Sequence, residues 1–521
     1  CAMRLVQTGD LLTLLSWQSQ LRSHFLEMPP RLKLAFAWAL GHAMASTEAT
    51  RLLDQIEAGL TDDDPQTDDM RWECLALRAL LRNVDDDGDA AYLLARQYLA
   101  HDPRDAWIRN VMLNIVASTH LRTGHWQAFH SVAPLVVVDE ERTRPGCFVF
   151  NRCYHLCYRG IAEYHQGRLE DAASLFEQAV QIGDTQPEQF GIVAAPERAV
   201  WVLPASLLAQ VRYQQNRLAE AATLIGECLE SACVVAPLDF VAAAFQTAVR
   251  LAHCEGDGGR VSFLLDEADR LARARGWTRL ESLNLLERVR ICLISRRLAE
   301  AEGCLARLDT LTALSRDADV RKAYVARDAF LAHAWVDLAH GVVARNLVEL
   351  RRRFHVSLAA KLPLEAARFG MTLALAQLQT ADQAAATDSL TLACEQAAQA
   401  GAMRVLFDLP LPADAVVRLL QTHRDTLPAD SAAARFLAGV LPAQAPAVVD
   451  LATGREAIEV LSGRERHVLK LVAQGQSNKE IARELGVAPD TIKYHLKSVF
   501  SKLGVGNRAQ AAVQAKSFGL A

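Results

Sequence analysis

The sequence predicts an all-α protein in which a long helical solenoid precedes a small basic helical module. Alanine and leucine recur throughout and aromatic residues make up only 6% of the chain. That composition favours helices, because strands prefer β-branched and aromatic side chains. A short motif that starts helices also recurs along the chain, and positive charge is concentrated near the C-terminus. The recurring motif predicts a stack of helix pairs, and the concentration of positive charge predicts a separate module.

The size and composition of the chain narrow its class. A chain of 521 residues exceeds what one hydrophobic core usually organises. No apolar run approaches the roughly 18 residues needed to cross a bilayer, and the N-terminus lacks the pattern of a secretory signal. The 11 cysteines are scattered without framework spacing, so we expect them to be reduced and mostly buried. We therefore expect a cytoplasmic protein with no membrane partner.

A recurring motif organises the chain between Leu11 and Leu441. It consists of a Gly- or Asn-marked turn, then Arg-Leu, then an acidic residue with alanines that open an amphipathic run. Clear copies lie at 167–173, 216–222 and 297–302, and weaker relatives start near Gly258 and Asp382. Small alanines let paired helices approach closely, and each pair buries its apolar stripe on the next pair. The motif thus predicts an α-solenoid with an extended concave face.

The spacing of the motif departs from that of a standard repeat. The first two clear copies lie 49 residues apart, whereas a tetratricopeptide repeat (TPR) has about 34 residues. The packing logic is the same, so we predict a TPR-like helical-repeat region over residues 1–441. We expect this region to serve in sensing or oligomerisation.

Three other features of the repeat region have a functional and a structural interpretation. Cys147, Cys153, His155 and Cys157 could form a metal site, because cysteine and imidazole are the usual zinc donors. However, Cys153 and Cys157 are one helical turn apart and no Cys-x-x-Cys knuckle occurs, so burial in the core is favoured. The acidic run 85–89 lacks the bidentate glutamate of a calcium loop and is interpreted as a solvated loop. Several aromatics could stack on an inducer, although core packing is favoured for each: Trp107, Trp126, Tyr154, Tyr158 and Trp201.

Charge separates the C-terminal module from the rest of the chain. The net charge is −5 overall, yet residues 455–521 hold 11 Lys or Arg against 6 Asp or Glu, which leaves −10 for residues 1–454. This asymmetry predicts a polyanion partner at the C-terminus. Prolines and alanines interrupt the helical pattern over 442–456, which we interpret as a linker before a module at 457–521.

Two capping boxes in series begin the module. In each box a serine side chain and a glutamate three residues later satisfy each other's backbone amides, which starts a helix. The boxes are Ser462 to Glu465 and Ser477 to Glu480, with Gly475 between them as a helix stop. They predict two short helices, and Pro489 suits the first position of a third helix.

The third helix has two distinct faces. Ile492, Leu496, Val499 and Leu503 fall on one stripe that packs inward. Lys493, Tyr494, Lys497 and Ser501 project outward, and such cations and hydrogen-bonding groups are what a helix needs in the major groove of DNA. We therefore predict a recognition helix, followed after Gly504 by a fourth helix capped by Asn507.

The module resembles the LuxR-type helix-turn-helix. The resemblance rests on 461–465, Val468-Leu469, Gly475, 477–482, Leu485, 491–493, His495 and 502–505. It implies a transcription regulator that binds double-stranded DNA, with base-facing side chains at Lys493, Tyr494 and Lys497. It also implies backbone-phosphate contacts from Ser477, Asn478, Lys479, Thr491 and Lys502. One departure is Ala488, where many members carry a capping serine or threonine.

A second resemblance covers segments of the upstream region. Residues 30–40, 49–57 and 401–408 resemble parts of large MalT-like LuxR regulators. Those are ATP-dependent activators with an N-terminal NTPase, a helical-repeat sensor and the same C-terminal module. No Gly-x-x-x-x-Gly-Lys-Ser/Thr phosphate loop occurs in this chain. We therefore expect no cofactor here, and ATP only if an NTPase domain precedes Cys1.

The sequence supports three classes of function to different degrees. The leading hypothesis is a DNA-binding regulator, expected to act as an activator with RNA polymerase and as a homo-oligomer on DNA. Its repeat region would sense a small-molecule or protein inducer of unknown identity. The alternative is a TPR-like interaction scaffold that the basic module tethers to DNA or polymerase. An enzyme is disfavoured, because the sequence shows no nucleophile elbow, phosphate loop, convincing metal constellation or placed carboxylate pair.

Overall fold

A computed structural model describes most of the chain. The described residues are 2–8, 11–20, 28–61, 67–136, 149–185, 199–314, 320–441, 463–474, 476–485, 491–493, 495–496, 499, 508, 511 and 515. Within these ranges the regular elements are α-helices and two short 3-10 turns, and no strand occurs. The prediction of an all-α fold is confirmed.

The helices are numbered here in chain order. The first ten are α1 Ala2–Thr8, α2 Leu11–Gln20, α3 Pro30–His42, α4 Ser46–Ala58, α5 Thr67–Val84, α6 Gly88–Ala100, α7 Ala106–Arg122, α8 Trp126–Val132, α9 Val149–His165 and α10 Leu169–Thr185. The repeat region continues with α11 Ala199–Gln214, α12 Leu218–Val235, α13 Leu238–Cys254, α14 Gly258–Arg275, α15 Thr278–Ile294, α16 Leu298–Leu314, α17 Val320–His340, α18 Leu347–Ala359, α19 Pro363–Gln379, α20 Gln383–Ala400, α21 Ala413–Arg424 and α22 Ala432–Val440. Two further helices lie near the C-terminus: α23 Gly463–Ala473 and α24 Asn478–Leu485.

Each copy of the recurring motif starts the second helix of a pair. The clear copies begin α10, α12 and α16, and the weaker relatives begin α14 and α20. The alanine one turn into each clear copy is fully buried at Ala172, Ala221 and Ala301. A residue of that size lets the two helix axes of a pair lie close together. The predicted role of the alanines in helix pairing is confirmed.

A residue with a left-handed backbone conformation (positive φ) precedes each of these helices. Gly167 has φ +74°, Asn216 has φ +60° and Arg296 has φ +57°. A positive φ reverses the chain within one residue, so the two helices of a pair run antiparallel across a short turn. Asp257 and Asp382 add side-chain caps to the helices of the weaker copies.

The helix pairs wind into a superhelix whose successive turns contact each other. The Trp277 indole N–H donates to the Val84 carbonyl at 2.8 Å across 193 residues of sequence. A Cβ added at Gly167 would lie 2.2 Å from Cγ of Pro363, so these two loops also touch. The backbone N–H of Met403 donates to the Gln214 carbonyl at 2.7 Å. The three contacts join points separated by similar lengths of chain, which indicates a regular superhelical turn.

One large apolar core runs along α1–α15 and includes part of α19–α22, and a second covers α15–α19. Trp107, Tyr154 and Tyr158 lie in the first core at 8% exposure or less, so the core interpretation of these aromatics is supported. Cys153 and Cys157 are also fully buried there, whereas Cys147 lies outside the described residues. In the described ranges no group of three His, Cys, Asp or Glu side chains is arranged to hold a metal ion.

The interpretation of 85–89 as a solvated loop is wrong for Asp86. Asp86 is 2% exposed, and both carboxylate oxygens accept from the Arg279 guanidinium at 2.9 Å. Asp87 in turn caps α6 by accepting from the Ala90 amide. The loop is buried because α15, far away in sequence, packs against it.

The N-terminal core contains a histidine without hydrogen bonds to the described residues. His42 is 3% exposed, and both of its ring nitrogens lack a partner. Trp38 stacks on the imidazole, and Trp107 and Phe150 meet it edge-on. Burial lowers the pKa of His42 to about 3, because a charged imidazolium would lose its hydration among these rings.

None of the helices in the described ranges is long and apolar enough to cross a membrane.

Candidate functional site

The C-terminal module is built on a small apolar core shared by three helical segments. Residues 491–493 and the described positions up to Val499 are helical and follow α23 and α24. The core residues are buried on facing sides of these segments: Val468, Leu471, Val472, Ile481, Ala482, Ile492 and Leu496. The inward stripe predicted for the third helix is present at Ile492, Leu496 and Val499, which are buried, and Leu503 lies outside the described residues. The three segments share one core.

The second capping box forms as predicted. The Glu480 amide donates to Ser477 Oγ at 3.4 Å, and the Ser477 amide donates to the Glu480 carboxylate at 2.6 Å. Hydrogen bonding from the Ser477 amide lowers the pKa of Glu480, so the carboxylate stays ionised and keeps the cap intact at neutral pH. This cap fixes where α24 starts. The first box includes Ser462, which lies outside the described residues.

The predicted DNA-contacting residues fall into three groups. Lys493, Lys479 and Ser477 are exposed, as contact with a ligand as large as DNA requires. Asn478 and Thr491 are half-buried at the starts of their helices. The remaining predicted residues lie outside the description of side chains: Tyr494, Lys497 and Lys502.

An arginine that the sequence analysis missed joins the end of the module to the start of α24. Arg508 donates to Asn478 Oδ1 at 2.8 Å and also to the Gln476 carbonyl. Asn478 was predicted to contact phosphate, but its carbonyl oxygen is already engaged, which leaves only its amide N–H groups as donors. In the sequence, the basic side chain of Arg508 directly after the predicted Asn507 cap was the feature that could have indicated this role.

A second candidate site lies in the repeat region, where charged side chains meet between turns of the superhelix. In the first of two clusters, the Arg279 cluster, Arg279 binds Asp86 and also donates to Asp239 at 2.8 Å. Arg122 completes this cluster by donating to Asp239 at 3.1 Å and to Asn83 at 3.1 Å. Burial alone would raise the pKa of Asp239, but Arg279 and Arg122 lower it, so the carboxylate is ionised.

The second cluster, the Arg250 cluster, joins α11, α13, α15 and the loop before α21. Arg250 donates to Asp408 at 2.9 Å and to Glu287 at 3.2 Å, and Tyr213 donates to the other oxygen of Asp408 at 2.7 Å. Arg290 donates to Glu287 at 2.8 Å. Burial raises the pKa of Glu287, but Arg290 and Arg250 outweigh it and bring the pKa to about 2. In each cluster two arginines therefore pair with two carboxylates.

Partly accessible side chains lie between the two clusters. Tyr324 packs under both Arg279 and Arg327, with guanidinium carbons 5.1 Å and 5.0 Å from its ring centre. Tyr164, Arg327 and Arg368 are half-buried, and His165 is exposed. The aromatic residues singled out in the sequence analysis are not among them.

Comparison with known proteins places the C-terminal module in a family. Residues 459–515 match the family model for bacterial regulatory proteins of the luxR family. A probable transcriptional regulatory protein, SgaR of Hyphomicrobium methylovorum, is 41% identical over 78 residues, which are 12% of this chain and 37% of that protein. A probable transcriptional regulatory protein, NarL of Mycobacterium tuberculosis, is 54% identical over 56 residues, 11% of this chain and 26% of that protein. The chain thus spans well under half the length of these relatives.

The repeat region has a structural relative of its own. The crystal structure of a Rap protein complexed with competence and sporulation factor superposes with a TM-score of 0.50 at 13% identity. The match covers 71% of this chain and 99% of that one. At this identity the likeness shows the fold alone. The chain therefore combines a TPR-like helical scaffold with a LuxR-type helix-turn-helix domain.

Proposed function

We propose that this protein is a DNA-binding transcription regulator whose repeat region senses a ligand and whose C-terminal module reads DNA. The observation that carries the proposal is the helix-turn-helix core of α23, α24 and the segment from Thr491, within the stretch that matches the luxR family model. That core holds Lys493 exposed on the side of its helix away from Ile492. Such a helix presents cations to the phosphates and base edges of the major groove.

The roles of individual residues follow from this proposal. Lys493, Tyr494 and Lys497 read bases, and Ser477, Lys479, Thr491 and Lys502 contact phosphates. Asn478 contacts phosphate through its amide N–H groups, because Arg508 occupies its oxygen. The module corresponds to 457–521, joined to the repeat region at 1–441 by a linker at 442–456.

The wider role rests on resemblance. Similarity to large MalT-like regulators supports an activator that works with RNA polymerase and assembles as a homo-oligomer on DNA. Such a protein acts in the cytoplasm, where the bacterial chromosome lies. The crystallised Rap protein holds a factor in its complex, which supports a ligand- or partner-binding role for the repeat region here.

The test of DNA recognition is selection from genomic fragments. The full chain is incubated with sheared genomic DNA, and the bound fragments are sequenced over several rounds. We expect enrichment of fragments that share one short sequence, and we expect Lys493→Ala to reduce that enrichment. Recovery of fragments without a shared sequence would instead favour the alternative of a scaffold tethered to DNA.

A further inference from the structure

The C-terminal module lies against one helix of the repeat region. Its first helix, α23, contacts α12, and Nε2 of His495 lies 4.0 Å from a carboxylate oxygen of Glu230 on α12. The His495 side chain is 16% exposed, whereas the Glu230 side chain is 47% exposed. Two separate segments of the module therefore meet the same helix.

The outer face of α12 is acidic. Glu220, Glu227 and Glu230 are exposed and fall along one side of the helix. Glu220 is paired with Arg217 at 2.7 Å, so Glu227 and Glu230 carry the charge of the half of α12 that reaches His495. Residues 455–521 hold 11 Lys or Arg against 6 Asp or Glu. The two surfaces therefore have opposite charge, which favours their association.

The helix that meets the module is firmly held in the superhelix. Ile225 and Cys228 are buried on its inner face. At its C-terminal end, the Arg275 guanidinium on α14 donates to the Cys233 carbonyl at 2.9 Å and to the Val234 carbonyl at 3.1 Å. The neighbours of α12 in the chain, α11 and α13, carry two members of the Arg250 cluster. A module seated on α12 is thus attached to the part of the repeat region where superhelical turns meet.

Lys493 and His495 point in nearly opposite directions from their helix. Two residues along an α-helix correspond to a rotation of about 200° around its axis. His495 flanks the buried side chains of Ile492 and Leu496 and approaches α12, whereas Lys493 is exposed. The repeat region therefore meets this helix on the side away from Lys493.

We propose that the outer face of α12 around Glu227, Glu230 and Val234, the docking face, holds the C-terminal module of the same chain with its DNA-reading side open. In this arrangement the module binds DNA without leaving the repeat region. A change in the superhelix moves α12 and the module together. This inference rests on the DNA-reading role proposed above and specifies how the two parts of the chain are joined.

The docking is tested by photo-crosslinking in the full chain. A benzophenone amino acid is incorporated at Glu227 or at Val234, about one turn on either side of Glu230, and the crosslinked peptides are identified by mass spectrometry. Isotopically heavy and light proteins are mixed to separate crosslinks within one chain from those between chains. We expect crosslinks within one chain to peptides from 463–499. Glu230→Lys should lower the crosslinked fraction by about threefold or more, because it reverses a charge that faces the basic module.

The matched control is Glu302→Lys, since Glu302 on α16 is also an exposed glutamate beside a histidine, His340, at 2.8 Å. This variant should leave the crosslinked fraction unchanged. Three results overturn the docking: no crosslink to the module, crosslinks only between heavy and light chains, or the same crosslinked fraction in the wild type and Glu230→Lys. An equal loss in Glu230→Lys and Glu302→Lys overturns it as well.

DNA tests the orientation of the docked module. A saturating amount of a duplex chosen from the selected genomic fragments should leave the crosslinked fraction unchanged. Loss of the crosslink on addition of DNA would show that α12 and DNA compete for the same side of the module, which overturns the open orientation. Failure of every duplex to bind overturns the regulator proposal instead, and the crosslink measured without DNA still decides whether α12 holds the module.

Discussion

The Tyr213 hydroxyl donates a 2.7 Å hydrogen bond to Asp408 across 195 residues of sequence. The same carboxylate accepts from Arg250, which also binds Glu287. A single buried acid therefore joins α11, α13 and the loop before α21, and through Glu287 it reaches α15. One of the contacts between superhelical turns therefore runs through this acid.

Asp408→Ala should lower the free energy of unfolding by about 3 to 5 kcal/mol, because it leaves the buried Arg250 with one carboxylate fewer and the Tyr213 hydroxyl without an acceptor. Tyr213→Phe should cost about 1 kcal/mol, since it removes one neutral donor. Urea denaturation measures both values. Asp425→Ala is the control, because Asp425 is exposed and pairs only with the adjacent Arg424. A loss of less than 1 kcal/mol in Asp408→Ala would show that this contact does not hold the turns together.

The Arg279 cluster makes a separate prediction about coupling. Asp86→Ala alone should destabilise the protein by about 3 to 5 kcal/mol, because it leaves the buried Arg279 with Asp239 alone. Replacing Arg279 as well, in Asp86→Ala with Arg279→Met, should cost less than the sum of the two single changes. A double-mutant cycle should give a coupling energy of about 0.5 to 3 kcal/mol. Strict additivity would mean that the two side chains do not interact in solution.

The buried imidazole of His42 should make the stability of the protein depend on pH. Its pKa is about 3 in the folded protein, below the value of about 6.5 expected in the unfolded chain. The unfolded chain therefore binds a proton on His42 more readily than the folded protein does. The contribution of neutral His42 to the free energy of unfolding is complete above pH 6.5 and is lost as pH falls toward 3. At pH 5 the loss is about 2 kcal/mol relative to pH 7.5.

His42→Leu removes the titrating group and the two buried nitrogens that lack partners. The variant should be at least as stable as the wild type at pH 7.5 and should lose less stability by pH 5. Unfolding measured across this range compares the two slopes, with His355→Leu at an exposed position on α18 as the control. Identical slopes in wild type and His42→Leu would argue against a neutral buried imidazole.

Lys493 and Lys479 should affect DNA binding in different ways. Lys493→Ala should weaken binding to selected DNA by about 1 to 3 kcal/mol and relax its sequence preference, because a base-edge contact is lost. Lys479→Ala should weaken binding to all sequences alike and reduce the salt slope by about one. Fluorescence anisotropy with selected and random duplexes measures both effects. Unchanged selectivity in Lys493→Ala would remove the base-reading role.

The parts of the fold that are predictable from sequence are the local ones. The motif copies locate the starts of α10, α12 and α16, and the Ser477 to Glu480 box locates the start of α24, because a cap depends on residues only three positions apart. The apolar stripe of Ile492 and Leu496 is predictable for the same reason. These signals are carried entirely within one or two helical turns.

The charged clusters are not predictable in this way. Asp86 and Arg279 each have the appearance of a solvated residue until the superhelix brings them together, and 193 residues separate them. Such features depend on the pitch of the superhelix, which no short motif encodes.

The central claim is tested most directly by a salt titration of DNA binding with the full chain. Affinity for selected and for random duplexes is measured while salt is raised, and the logarithms of affinity and salt concentration are compared. We expect selected DNA to bind more tightly than random DNA throughout, by about a thousandfold or more, with a steep linear decline for both. Equal affinity for selected and random DNA at every salt concentration would contradict sequence-specific regulation and favour a tethered scaffold.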